Sequence, residues 1–116
     1  MEWKEDKYLV KSVIEEKKKL DSIAILFKNL DDNNLSDQQI LLLEKHVALE
    51  NLINACLGAL NNREQKLIKL SYFEGLTNYN LSEALNISER TAATYKRDAT
   101  VKFAQMIKFY LGLLNE

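Results

Sequence analysis

Arg90, Thr94 and Arg97 lie four and three residues apart, with Ala93 between the first two and Lys96 beside the last. On a helix that spacing brings these side chains to one face or its edge. None of them suits covalent chemistry, but together they suit the reading of a duplex. Arg can fork onto O6 and N7 of guanine, Thr can bond to a base or a phosphate, and Ala93 or a threonine methyl can lie against the methyl of thymine. Just upstream, Ser88 is placed to cap the helix, and both it and the unpaired amides of a helix start can take a phosphate oxygen. Glu89 and Asp98 oppose a polyanion, although a carboxylate can accept from N4 of cytosine.

Such a face needs a scaffold that holds it clear of the body. Leu81 and Leu85 supply the apolar side of a short helix, Ile87 plugs the turn Asn86-Ile87-Ser88, and Ala92, Tyr95, Ala99 and Phe103 give the next helix a buried stripe. Ala92 is small enough for the two helices to cross closely. This is the pattern of a helix-turn-helix. The spacing predicts a short helix capped by Thr77 or Asn78 and running through Ala84 or Leu85, then a long one from Glu89 to about Leu114. The candidate DNA contacts are Thr77, Ser88, Arg90, Thr91, Ala93, Thr94, Lys96 and Arg97.

The rest of the chain reads as helix too. There is no Pro, Gly occurs only at 58, 75 and 112, and strand-like alternation is absent. The fold class is therefore all-α, with long N-terminal helices over residues 1–60 and a helix-turn-helix unit over 61–116. A first helix runs from about Lys4 to Leu30, with Val13, Leu20, Ile23, Phe27 and Leu30 on its facing stripe. DDNN at 31–34 marks a break, where two acids oppose the helix dipole. Ser36 and Gln39 form a capping box for a helix from Asp37 to about Ala59. That helix carries more apolar residues between Ile40 and Leu60 than one neighbour can cover, so it is central or lines a homodimer interface. Asn62, with Gln65 three residues on, caps a third helix from Arg63 to Phe73, which Gly75 ends.

Charge and composition exclude several classes. Residues 1–62 hold eight Lys/Arg against eleven Asp/Glu, residues 63–115 hold eight against five, and Glu116 brings the total to -1. The second half is the better partner for an anion, mildly so. EEKKKLD in the first helix reads as a solvated face. His46, the single histidine, suits an i,i+4 pair with Glu50, and Cys56, the single cysteine, suits core packing. No metal site, cofactor loop or catalytic constellation is expected, so the chain does not read as an enzyme. The start lacks the apolar stretch of a signal peptide, and no apolar run approaches the ~20 residues of a membrane span. A reduced, cytoplasmic setting is the expectation.

The segment LNNREQKLIKLSYFEGLTNYNLSEALNISERTAATYKRDATVKF, residues 60–103, resembles region 4 of bacterial sigma factors. The residues that carry the resemblance are Leu60, Arg63, Glu64, Tyr72, Phe73, Glu74, Gly75, Leu76, Thr77, Glu83, Leu85, Ile87, Ser88 and Thr91. Asn61 stands where Pro is usual, Ser82 where a small Ala is usual, Ala92 where Val is usual, and Asn86 where Gly is common. The ending ISERTAATYKRDATVKFAQMIKF resembles the ArpU and RinA regulators of phage late genes, through an Arg or Thr after the Ser cap, Tyr-Lys-Arg and a following Phe-Ala.

The resemblance implies a phage or prophage regulator bound to a promoter-like site, with Arg90, Thr91, Thr94, Lys96 and Arg97 facing double-stranded DNA. Region 4 in sigma factors also touches RNA polymerase, which makes polymerase a possible partner. The first 60 residues lack the aromatic and basic pattern of sigma region 2, so a full sigma factor is not expected. Two alternatives stay open: the small subunit of a phage DNA-packaging terminase, and a sigma-like protein that binds polymerase or an anti-sigma partner.

Overall fold

A computed structural model describes residues 2–29 and 35–114. The expected break at 31–34, and Leu30 before it, lie outside the described residues. Among the described residues five α-helices follow in order: α1 (Glu2–Lys28), α2 (Asp37–Gly58), α3 (Asn62–Ile68), α4 (Asn78–Leu85) and α5 (Glu89–Leu114). Among the described residues there is no strand. A π-helical turn, Lys69–Phe73, extends α3.

The starts of the helices are written in their caps. Ser36 Oγ accepts from the Gln39 amide at 3.2 Å while Gln39 Oε1 accepts from the Ser36 amide at 2.7 Å. At α3 the box falls one residue earlier than the sequence reading places it. Asn61 and Glu64, not Asn62 and Gln65, exchange bonds of 2.8 and 2.9 Å. The carboxylate wins because it is a charged acceptor that also takes Lys102 Nζ at 3.1 Å, whereas the Gln65 amide donates to the Leu60 carbonyl.

The third helix also differs from expectation beyond Ile68. The Glu74 amide bonds the Lys69 carbonyl at 3.0 Å, five residues back, so the regular repeat opens by one residue. That rotation aims Tyr72 at α5, where its hydroxyl meets Thr100 Oγ1 at 2.8 Å. Thr100 is fully buried and donates to the Lys96 carbonyl at 2.7 Å, so the tyrosine is the donor. Gly75, at φ +74°, then reverses the chain, and the Leu76 amide closes the end on the Leu70 carbonyl.

One core joins the N-terminal helices to the rest. Val10 and Ile14 of α1 pack with Leu52, Ile53, Cys56 and Leu57 of α2 and with Leu67, Ile68, Leu81, Ala92, Phe103 and Ile107. On α1, Val10 and Ile14 are buried, as are Leu20, Ala24 and Phe27, while Val13 and Ile23 sit at its edge. α2 divides into two halves. Its C-terminal half enters the core, whereas Ile40, Leu41 and Val47 are exposed. Beside them on α1, Ile25 and Leu26 are also exposed. The molecule measures 53 × 34 × 24 Å with a radius of gyration of 16.4 Å. A compact chain of this length would have about 13 Å. The α1–α2 pair accounts for the difference by standing out as an arm.

Candidate nucleic-acid interface

The helix-turn-helix is built by α4, its turn and the first half of α5. Thr77 Oγ1 caps α4 by accepting from the Asn80 amide at 3.2 Å. Asn86 ends it in the left-handed region at φ 55°, ψ 49°. Its amide returns to the Glu83 carbonyl, and the Ile87 amide reaches the Ser82 carbonyl at 3.0 Å, the paired bonds of a Schellman ending. Asn is one of the few non-glycine residues that tolerates this backbone, so the departure at Asn86 keeps the turn. Ser88 begins α5: its Oγ accepts from the Thr91 amide at 3.0 Å and donates to Thr91 Oγ1 at 2.8 Å. Leu81, Ala92, Ala99 and Phe103 are at most 1% exposed and clamp the two helices together.

With the stripe buried, the opposite side of α5 stands in solvent. Arg90, Thr94 and Arg97 are exposed, Thr91 and Ala93 are half-buried at the rim, and Thr77 and Ser88 are exposed at the two helix starts. Arg97 Nε lies 3.4 Å from Asp98 Oδ1, a loose contact that leaves its terminal nitrogens for an outside partner. Thr94 donates its hydroxyl to the Arg90 carbonyl at 3.2 Å. The capping hydroxyl of Ser88 is occupied by Thr91, so the anion-facing groups at this helix start are the first amides of α5, which have no carbonyl a turn earlier.

Lys96 is the exception in the set. It is half-buried, with its Nζ 5.5 Å from the centre of the Tyr72 ring. Burial lowers its pKa, and the charges of Lys7 and Lys11 on α1 lower it further. It therefore points toward α1 and away from the row formed by Arg90, Thr94 and Arg97. On the other flank, Arg63 stacks over Tyr95 at 4.3 Å and closes the α3 side.

One expectation elsewhere is corrected. His46 does not pair with Glu50; its Nε2 meets Asp21 Oδ1 at 2.6 Å, across α1 and α2. Asp21 also takes Lys17 Nζ at 2.8 Å, so its carboxylate draws the ring across the helix pair. Cys56 is buried in the core, and burial pushes its thiol up. Among the described residues no group of three or more His, Cys, Asp or Glu is placed to hold a metal, and no helix is long and apolar enough to cross a membrane.

The short helix, left-handed turn and exposed second helix define a helix-turn-helix protein. Residues 50–102 match the family model for sigma-70, region 4. The matched stretch runs from the C-terminal half of α2 to the middle of α5, so it includes all eight candidate contacts. No curated protein and no solved structure matches the chain.

Proposed function

We propose that this protein is a sequence-specific double-stranded DNA-binding regulator of transcription, acting in the cytoplasm on phage or prophage late genes. The observation that carries DNA binding is the exposed row Arg90, Thr94 and Arg97 on a helix whose other side is locked by Ala92, Ala99 and Phe103. A rigid rod with such a row can enter the major groove without rearrangement. The match of residues 50–102 to sigma-70 region 4 supports the same reading. The late-gene assignment rests on the resemblance of residues 87–109 to the ArpU and RinA regulators.

One helix is a small footprint, so a homodimer is part of the proposal. Two copies would present two reading helices to half-sites about 34–36 Å apart. The exposed apolar residues of the α1–α2 arm supply a surface for that pairing. A second reading, a sigma-like protein that binds RNA polymerase, is favoured by the family match alone. Footprinting on the late promoter of the source prophage tests the proposal. A protected site at moderate salt is expected. Polymerase capture with no protected site would favour the second reading, and a ring of eight or more copies would favour a terminase small subunit.

A further inference from the structure

Between α1, the π-helical turn and the start of α4 lies a groove of about 380 Å³. Lys7, Lys11 and Lys18 reach it from α1 and Lys96 from α5, against one acid, Glu15. Among the described residues none of these four lysines makes an ion pair. Lys18 Nζ touches only the Tyr72 carbonyl, at 3.3 Å, and Lys7 lies over the Trp3 ring at 5.5 Å. Four like charges gathered around a single acid are unfavourable in the free protein, and the depressed pKa of Lys96 reflects burial and, beyond it, the nearby charges of Lys7 and Lys11.

The π-helical turn, which carries Ser71 and Tyr72, forms one wall of this groove, and turns of that kind gather at functional sites. Thr77, the cap of α4, forms the rim of the groove. The groove flanks the row of Arg90, Thr94 and Arg97 on the α1 side of α5, with Ala93, one turn before Lys96, at the rim between them.

From this juxtaposition we infer that the groove is a second DNA contact, which holds phosphates of the sugar–phosphate backbone beside the base pairs read by α5. The inference rests on the DNA-binding reading above. Lys7, Lys11 and Lys18 supply the charge, and Lys96 joins the groove to the reading helix. The N-terminal helix is then part of the DNA-binding surface as well as a support.

The test uses the full chain and a duplex selected by it from a random pool. Affinity is measured against salt for the wild type, for Lys7→Gln/Lys11→Gln/Lys18→Gln, for a control that removes equal charge elsewhere (Lys19→Gln/Lys28→Gln/Lys45→Gln), and for Arg90→Ala/Arg97→Ala. Each phosphate contact contributes about 0.9 to the slope of log K against log salt. The groove variant is expected to flatten that slope by about two to three and keep its sequence preference, while the control keeps the wild-type slope. Equal slopes for groove variant and wild type, or equal losses in groove variant and control, would overturn the groove while leaving α5 as the reader. Absence of any bound duplex for the wild type would overturn the DNA-binding reading, and the groove with it. Circular dichroism checks that every variant folds.

Discussion

At the residue scale, the side chains proposed to read DNA differ from those that hold the fold. Arg90 and Arg97 are exposed, and removing them disturbs no core contact. Each change to Ala is expected to lower discrimination between the selected duplex and a one-base variant by about 1–3 kcal/mol, the worth of a bidentate base contact. Competition binding measures this, with an unchanged melting temperature as the control. Asn86 holds. Its φ of 55° excludes a β-branched replacement, so Asn86→Val is expected to destabilise the fold by about 1–2 kcal/mol, whereas Asn86→Gly is expected to be neutral or mildly stabilising. Thermal melting of the two variants separates a backbone requirement from a side-chain one. Equal losses in both would show that the amide group, not the left-handed backbone, is what the turn needs.

At the element scale, the helices and most caps are legible in the sequence because their signals are local. Ser36 with Gln39, Thr77, Ser88 and the stripe Ala92, Ala99 and Phe103 all sit where spacing places them. What spacing could not show depends on distant partners. The cap at Asn61 is decided by Glu64, which is held by Lys102 from α5, and the π-helical turn is decided by the reach of Tyr72 to Thr100. The direction of Lys96 follows from the same turn, which puts an aromatic ring beneath it. The lysines of α1 were visible as residues, but nothing local ties them to Lys96. For Glu64, burial raises the pKa, and the Asn61 amide and Lys102 more than reverse this, leaving it below its ordinary 4.5. For Asp21, burial likewise raises and the bonds from Lys17 and His46 prevail, leaving it below 3.8. Carboxyls lowered in the folded state contribute stability that is present above their unfolded values and lost as pH falls through the folded ones. Stability is therefore expected to drop as pH falls below about 4.5. The double variant Asp21→Asn/Glu64→Gln should show a shallower drop in urea melts over that range, and an identical drop would contradict these assignments.

At the scale of the whole molecule, the chain joins a helix-turn-helix end to an apolar arm. Ile25, Ile40 and Val47 are 62%, 43% and 54% exposed, more than a free surface gains from. The proposed homodimer is expected to weigh twice the 13.4 kDa chain in light scattering, and Ile25→Glu/Val47→Glu to reduce it to one chain with the fold intact. Such a monomer should bind a single half-site weakly, because two linked contacts reinforce each other. Everything else depends on α5 reading base edges. The most direct measurement is selection from a random duplex pool, run in parallel with the wild type and with Arg90→Ala/Arg97→Ala. The wild type is expected to enrich one defined site containing guanines, and the variant to lose preference at those guanines. Enrichment of no sequence by the wild type, or of the same sequence by both proteins, would show that α5 does not read base edges.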